Sequence, residues 1–345
     1  MNILLAMFGW ALVLWTLLDA FEQVILPRME SHVFRISSLA RRCTWTPWKA
    51  LARRISSAER RAAFLGYYGP FSILILLASW DLSVILGFSL GWWATREGSF
   101  MTRFYVSGSN WFALGLSNPP VTDIARLTTL VEAGLGLAFL AVIIGYLPVY
   151  YGAYSTREVF IIRFQSAAGS PCTALEIVRK FAPLDKSMTL QLLMECQAWA
   201  AHVLQSQRSY PLVALYRSQK GNDSWLAVLT VILDACALWI TVQKDKIQLG
   251  SQPTFGVALR AATDLASAFR LKPKSPPTDR LPRAAFQMLF QALADAGIEV
   301  GAPEETERNL AELRGLYEPY IYALSQYLYM ELPPWIKVEG TTASI

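Results

Sequence analysis

Charge is scarce in this chain: 17% of its 345 residues are Asp, Glu, Lys or Arg, whereas an average soluble domain has about 25%. Histidine is scarcer still, with two residues, and the four cysteines form no C-x-x-C pair. These shortages leave no zinc site recognisable from ligand spacing and no disulfide framework. Walker, G-x-G-x-x-G and G-x-S-x-G motifs are also missing. The sequence therefore gives no indication of an enzyme, and it predicts no cofactor and no nucleic-acid partner.

Apolar residues make up 54% of the chain, including 12 Trp, 14 Tyr and 17 Phe. They are gathered in separate runs, and the stretches between the runs are more polar. A disordered chain is excluded, because such chains have too few apolar residues to build a core. The pattern predicts an all-α membrane protein with a large part outside the bilayer, and the aromatic residues fit the belts found at membrane surfaces.

Three apolar runs are candidates for membrane-spanning helices, which need about 20 residues. The first is 3–18, with an expected extension toward residue 26. A cleaved signal peptide is its alternative, although the run has no positive n-region. The second is 64–94 and the third is 127–151. A fourth run, 225–242, precedes a basic segment that would lie outside the cell if the run crossed the membrane, so we interpret it as a buried helix of a soluble domain.

The orientation follows from residues 26–63, which carry nine Lys and Arg against two Glu. Under the positive-inside rule this loop is cytoplasmic, so we expect a multi-pass protein of the inner (plasma) membrane with the N-terminus outside. The loop either serves topology and contact with anionic lipids or acts as a lipid-gated segment. The predicted domains are a first membrane helix at 1–26, a basic loop at 27–63, a pore module at 64–151, a helical cytoplasmic domain at 152–335 and a flexible tail at 336–345.

Residues 99–123, between the second and third runs, are too polar and too few to cross a bilayer and too apolar for an ordinary outer loop. Non-helical backbone at membrane depth is tolerated only where protein or a water-filled cavity covers it. A re-entrant segment fits, in which residues 104–114 enter the membrane as a helix and 115–120 return as extended chain. The negative end of that helix would then face a central cavity and favour a cation.

The sequence F-A-L-G-L-S-N-P at 112–119 resembles the pore loop of the potassium channel superfamily, and in particular a bacterial pore-loop group within it. The positions that coincide with the loop pattern of this group are Tyr105, Ser107, Gly108, Phe112, Leu114 and Gly115. The resemblance covers about residues 1–245 and is most specific in 104–171. It implies a three-span subunit with a pore helix and filter loop, a homotetramer with one loop per chain, and a permeant monovalent cation, K+ above all.

On this resemblance, the ion-filter candidates are Ala113, Leu114, Gly115, Leu116, Ser117 and Asn118. Potassium-type filters have Thr, Gly, an aromatic residue, Gly and an acid where this chain has Ala113, Gly115, Leu116, Ser117 and Asn118. The hydroxyl ligand, the second glycine and the acid are thus replaced. Either selectivity is relaxed or the filter has collapsed. The alternative function is a non-conducting membrane scaffold or signalling protein descended from a channel.

Candidates for a gating hinge in the third run are Gly134, Gly136, Gly145 and Pro148. The glycines either form a hinge or permit close helix packing, and the proline removes a backbone hydrogen bond near the inner mouth. Asp81 and Glu132 are ionisable groups in apolar surroundings and are functional candidates for that reason. The structural alternative pairs Glu132 with Arg103 or Arg126 and bonds Asp81 to a neighbouring helix.

The part of the chain after the third run has helical periodicity and no useful alternating pattern. The predicted helices are 187–207, 223–243, 254–270, 282–296 and 303–332, with a Pro-rich linker at 271–282. About 160 residues can bury a core, so we expect a regulatory or assembly domain. For Asp19 and Glu22, at the end of the first run, we expect pairing with Arg28 or the rest of the basic loop.

Overall fold

In the computed structural model, the described residues are 3–24, 36–95, 99–116, 122–169, 172–182, 184–218, 224–242, 246–298 and 300–336. These ranges contain α-helices and a 3-10 turn at Pro211–Leu215, without a strand. The helices are α1 (Ile3–Val24), α2 (Ile36–Ala52), α3 (Ala58–Gly66), α4 (Tyr68–Thr95), α5 (Phe100–Trp111), α6 (Asp123–Ala168), α7 (Ala174–Phe181), α8 (Lys186–Ser209), α9 (Trp225–Val242), α10 (Lys246–Ala268), α11 (Arg283–Asp295) and α12 (Pro303–Leu328). The all-helical prediction is confirmed within these ranges.

The chain divides into two compact units. The first unit comprises 1–56 and 67–152 and contains α1, α2, α4, α5 and the first part of α6. The second comprises 57–66 and 153–345 and contains α3, the rest of α6, and α7 to α12. The division at residue 152 falls inside α6, which is one continuous helix of 46 residues with Pro148 in its interior.

Four helical segments in the described part of the chain are long and apolar enough to cross a membrane: 3–24, 58–94, 123–168 and 225–242. They differ in how much of their surface other parts of the protein cover. Only 11% of the most apolar stretch of α6 is buried, whereas 83% of α9 is buried. An apolar helix covered by protein on all sides is typical of a domain core, and a helix with an exposed apolar surface is typical of contact with lipid or another subunit.

Glycines bring α1 and α4 into backbone contact in the first unit. A Cβ on Gly9 would lie 2.5 Å from the carbonyl oxygen of Gly87 and 2.9 Å from the amide nitrogen of Gly91. Gly87 and Gly91 are four residues apart and share a face of α4, an arrangement by which helices pack closely in membranes. The adjacent buried cluster is formed by Val13, Val84, Ile85, Phe88 and Trp111.

Asp19 ties the end of α1 to α2 and α4. Its buried carboxylate accepts hydrogen bonds from the indole Nε1 of Trp80 (2.9 Å) and from the backbone N and Oγ of Ser37 (3.0 and 3.2 Å). The expected contact with the basic loop therefore exists, but a neutral serine makes it. Arg28, the cation named for this pairing, lies outside the described residues.

In the second unit, α9 forms the core and packs against α7, α10 and α12. Its buried Asp234 accepts hydrogen bonds from Arg280 (2.6 Å) and from the hydroxyl of Tyr317 (2.5 Å). Arg280 also contacts Glu318 (3.1 Å) and the carbonyl oxygen of Pro333 (2.9 Å). Burial opposes the charge of Arg280, but the two carboxylates raise its pKa above the ordinary value. A paired acid can therefore lie inside this apolar helix.

A second buried arginine fixes the later part of α6 within the second unit. Arg157 is fully buried and donates to the carbonyl oxygens of Val213 and Tyr216, both at 2.9 Å, while its guanidinium pairs with Glu158 at 2.9 Å. The guanidinium also lies 5.9 Å from the ring of Trp225, at the start of α9. The 3-10 turn at 211–215 is thus bonded to α6 through a buried cation.

Candidate functional site

The polar segment between the second and third apolar runs contains α5, which begins four residues earlier and ends three residues earlier than the predicted helix 104–114. It begins early because the Oγ of Ser99 accepts a hydrogen bond from the backbone N of Thr102 (3.2 Å) and caps the first turn. The sequence analysis did not use this serine, although its position before an apolar stretch is a recognisable start signal.

The end of α5 is set by the first residues of the predicted filter. The backbone N of Ala113 donates to the carbonyl oxygen of Asn110 (2.9 Å), and the backbone N of Leu114 donates to that of Ser109 (2.8 Å). This pair of bonds, with Ala113 at φ 52°, is a Schellman C-cap. The Oγ of Ser109 also accepts from the backbone N of Leu116 (2.9 Å). Residues 113–116 thus form a turn held against α5. Residues 117–120, the rest of the predicted extended chain, lie outside the described residues.

The described filter candidates are exposed in the single chain. The exposed fractions are 58% for Leu114 and 59% for Leu116, and the adjacent Phe112 is exposed by 55%. Ala113 and Gly115 both have positive φ, at 52° and 66°. Ser117 and Asn118, the other two candidates, lie outside the described residues. The apolar side chains of this turn need cover from a neighbouring molecule or from lipid, because a single subunit leaves them open.

Glu132 on α6 is fully buried and is hydrogen-bonded to α5. The Oγ of Ser107 lies 2.5 Å from one carboxylate oxygen, and the Nδ2 of Asn110 donates to the other at 3.0 Å. The structural alternative pairs Glu132 with Arg103 or Arg126, but both of these hydrogen bonds to Glu132 come from neutral side chains of α5. Arg126 instead lies 3.4 Å from Asp123, at the surface.

Asp81 on α4 is the second acid that holds α5. Its carboxylate accepts a hydrogen bond from the indole Nε1 of Trp111 at 2.9 Å. This interaction is the bond to a neighbouring helix that the structural alternative predicts for Asp81. The preceding residue, Trp80, donates to Asp19, so adjacent positions on α4 connect to α5 and α1.

The hinge candidates on α6 have different surroundings. A Cβ on Gly136 would lie 1.9 Å from the carbonyl oxygen of Trp111, whereas a Cβ on Gly134 or Gly145 would meet no atom within 4 Å. Gly136 therefore permits close packing of α5 on α6, which is one of its two predicted roles. Pro148 lies in an uninterrupted helix. The sequence pattern alone did not identify Asn110 and Trp111 as partners of the acids, although Ser107 and Asn110 are three residues apart and so share a helix face.

The site thus consists of a short helix held by two acids and one glycine from the flanking apolar helices, and it ends in an exposed turn. Within the described ranges, no group of His, Cys, Asp or Glu is arranged to hold a metal ion. The groups that could contact a cation here are the backbone carbonyl oxygens at the C-terminus of α5. A helix C-terminus carries about half a negative charge.

Comparison of the chain with protein-family models, with curated proteins and with solved structures found no match. The resemblance of residues 112–119 to potassium channel pore loops therefore stays a prediction from the sequence.

Proposed function

We propose that the chain is one subunit of a cation-conducting membrane pore in which α5 and the following turn form a re-entrant loop. The observation that carries this proposal is the pair of contacts at Trp111, which bonds to Asp81 of α4 and lies against Gly136 of α6. Asp81 is about 21 Å along α4 from its end at Thr95, and Gly136 is about 20 Å along α6 from its start at Asp123, at 1.5 Å per residue. Both distances are well over half of a ~30 Å hydrocarbon core.

The same contacts support a descent of α5 between the two helices. Phe100, its first residue, stacks edge-on against Trp93 near the end of α4, with ring centroids 5.7 Å apart. Its last residue contacts the middle of α4, so α5 runs back along the helix that precedes it. Residues 112–116 are taken up by the turn against α5, so residues 117–122 make the return to the start of α6. Six residues reach at most about 20 Å when extended, which matches the ~20 Å between Gly136 and Asp123 along α6.

In this proposal α1, α4 and the first part of α6 cross the membrane, while α9 belongs to the core of the cytoplasmic domain. The 83% burial of α9 favours the second assignment. The 46 residues of α6 measure about 69 Å, far more than the bilayer, so its later part lies in the cytoplasm. The basic residues of 26–63 orient the spans with this end inside.

Several copies are needed to complete the pore. The exposed turn at 112–116 and the uncovered apolar surface of α6 provide contact area for identical subunits. Four copies would direct four α5 C-termini toward one axis, where backbone carbonyl oxygens replace water around a monovalent cation. The resemblance favours K+, and the replaced filter residues favour weak discrimination between K+ and Na+.

The second candidate function is a non-conducting scaffold or signalling protein. The observation that favours it is Ala113, which follows the C-cap Phe112 and closes the Schellman turn in a left-handed conformation. Alanine has no hydroxyl, and the turn holds this position against α5, so it does not act as the hydroxyl ligand of a potassium-type filter. In that case the second unit would carry the activity, and α5 would be a structural remnant.

The test is ion flux into liposomes that contain the purified full-length protein. We expect passive K+ and Na+ flux above that of protein-free liposomes, and a particle of four subunits in mild detergent. Valinomycin, added at the end, gives the full K+ signal for calibration. A clean monomer, or a tetramer that conducts neither ion, would contradict the pore proposal and favour the scaffold.

A further inference from the structure

The amphipathic helix α2 is attached at one end of two apolar helices. Its first turn bonds to Asp19 near the end of α1 through Ser37. Its middle contacts Tyr68, the first residue of α4, where the Oγ1 of Thr44 lies 2.9 Å from the tyrosine hydroxyl. When α1 and α4 cross a membrane, the contact with Tyr68 holds the middle of α2 near the bilayer surface. Its first turn lies deeper, because Asp19 also bonds to Trp80, about 18 Å along α4 from Tyr68.

Aromatic side chains of α2 also pack against the start of α4. The Trp45 side chain is buried, and its ring centroid lies 4.6 Å from that of Tyr68. Trp48 lies 5.7 Å from Tyr68 and 5.6 Å from Phe71. Tryptophan and tyrosine favour the membrane interface, where the ring is covered and the polar edge meets water. One face of α2 therefore packs against the apolar helices.

The opposite face of α2 combines arginines with leucines and carries no acid. Arg42 is exposed on the helix, and Arg53 and Arg54 are exposed in the turn that follows it. In the part of the chain that the structure describes, these three guanidinium groups have no carboxylate partner. Leu39 and Leu51 are exposed by 62% and 52%.

Positive charge is crowded at the end of α2. Burial lowers the pKa of Lys49, and the positive charge of Arg53 lowers it further. An anion bound beside the exposed Arg53 would offset this crowding. The exposed leucines favour a lipid over a free anion in solution. Their apolar side chains are stabilised when they leave water and contact acyl chains.

We propose that the exposed surface of α2 and of the turn after it, formed by Leu39, Arg42, Leu51, Arg53 and Arg54, binds the headgroups of anionic phospholipids in the membrane that α1 and α4 cross. The arginines contact lipid phosphates through charge-assisted hydrogen bonds, and the leucines reach the acyl boundary. Each cation near an anionic surface strengthens binding to it, so three arginines without a carboxylate partner among the described residues give a clear lipid preference. The proposal rests on α1 and α4 as spans and does not depend on ion conduction.

The test counts lipids retained by the full-length protein in native mass spectrometry. The protein in detergent receives equal amounts of phosphatidylglycerol and phosphatidylcholine with identical acyl chains. The test variant is Arg42→Gln, Arg53→Gln, Arg54→Gln. The matched control is Lys272→Gln, Arg283→Gln, Arg308→Gln, which removes the same charge from exposed positions of the second unit.

We expect the wild type and the control variant to retain several-fold more phosphatidylglycerol than phosphatidylcholine, and the test variant to retain the two about equally. In about 0.5 M salt the wild-type preference should shrink, because exposed charges are screened; this measurement decides the question even if the test variant does not fold. An unchanged preference in the test variant, or none in the wild type, would overturn the proposal. Preferential binding of a duplex oligonucleotide to the same arginines would also overturn it.

Discussion

The carbonyl oxygen of Trp111 lies against the α-carbon of Gly136, so close that a Cβ at position 136 would be 1.9 Å from that oxygen. The end of α5 therefore occupies space that any side chain on this part of α6 would fill. The indole of the same tryptophan bonds to Asp81 on α4. One residue thus fixes the end of α5 against both flanking helices, and with it the turn that contains the filter candidates.

The substitution Gly136→Ala should displace α5. The added methyl group meets backbone rather than a flexible side chain, and forced overpacking of this kind costs about 1–3 kcal/mol. Thermal unfolding in detergent should show a lower midpoint, and liposomes should show reduced ion flux. Gly134→Ala is the matched control, because a Cβ there meets nothing within 4 Å. Equal effects of the two variants would contradict the close approach.

The hydrogen bond between Trp111 and Asp81 can be measured with a double-mutant cycle. Trp111→Phe keeps an aromatic ring and removes the Nε1 donor, while Asp81→Leu removes the acceptor. Trp111→Phe alone should be destabilising by about 1–3 kcal/mol, because the carboxylate loses its donor away from bulk water. In the double variant we expect a coupling energy of about 0.5–3 kcal/mol. Additive effects would mean that the two side chains do not interact.

Substitutions at Ala113 test the cap against the filter resemblance. From the resemblance alone, Thr at 113 together with Tyr at 116, Gly at 117 and Asp at 118 should raise the preference for K+ over Na+. A β-branched residue is strongly disfavoured at φ 52°, so Ala113→Thr alone should destabilise the protein by about 1 kcal/mol or more. Ala113→Gly should be tolerated or stabilising, since glycine suits a left-handed C-cap. Unfolding midpoints rank the variants, and a Thr variant as stable as Gly would contradict the cap.

The buried pair of Arg280 and Asp234 should be essential for the second unit. Arg280→Met removes the cation and leaves the carboxylate of Asp234, 1% exposed, without its charge partner. Breaking such a pair costs about 3–5 kcal/mol. Urea or thermal unfolding of the full-length protein should detect this loss. Arg283→Met, at an exposed position, should change stability by no more than about 0.5 kcal/mol.

The orientation can be read from cysteine labelling in intact cells. Ala50 lies on the exposed face of α2, and Ser99 lies just before α5; both side chains are exposed. With the basic loop in the cytoplasm, an impermeant thiol reagent should reach a cysteine at 99 but not at 50. Permeabilised cells should allow labelling at both positions. Labelling of position 50 alone in intact cells would contradict the orientation and the pore proposal.

The helical class, the apolar runs and the cluster of positive charge can be predicted from the sequence, because these features depend on residues close together in the chain. Long runs such as 3–18 and 127–151 leave few alternatives to a helix. Even the ambiguous run 225–242 could be interpreted from its flanking charges. The buried position of this helix within the second unit agrees with that interpretation.

The contacts of the polar groups within those runs depend on how the helices pack in three dimensions. Nothing local distinguishes an arginine partner for Glu132 from Ser107 and Asn110, since the choice depends on how α5 packs between α4 and α6. Likewise, Ala113 looks like a filter position in sequence, and its role as a cap depends on bonds to Ser109 and Asn110 that form only when α5 ends there. Hydrophobicity selects which segments are buried, whereas hydrogen-bond partners and steric fits such as Gly136 against Trp111 are set by residues far apart in the chain.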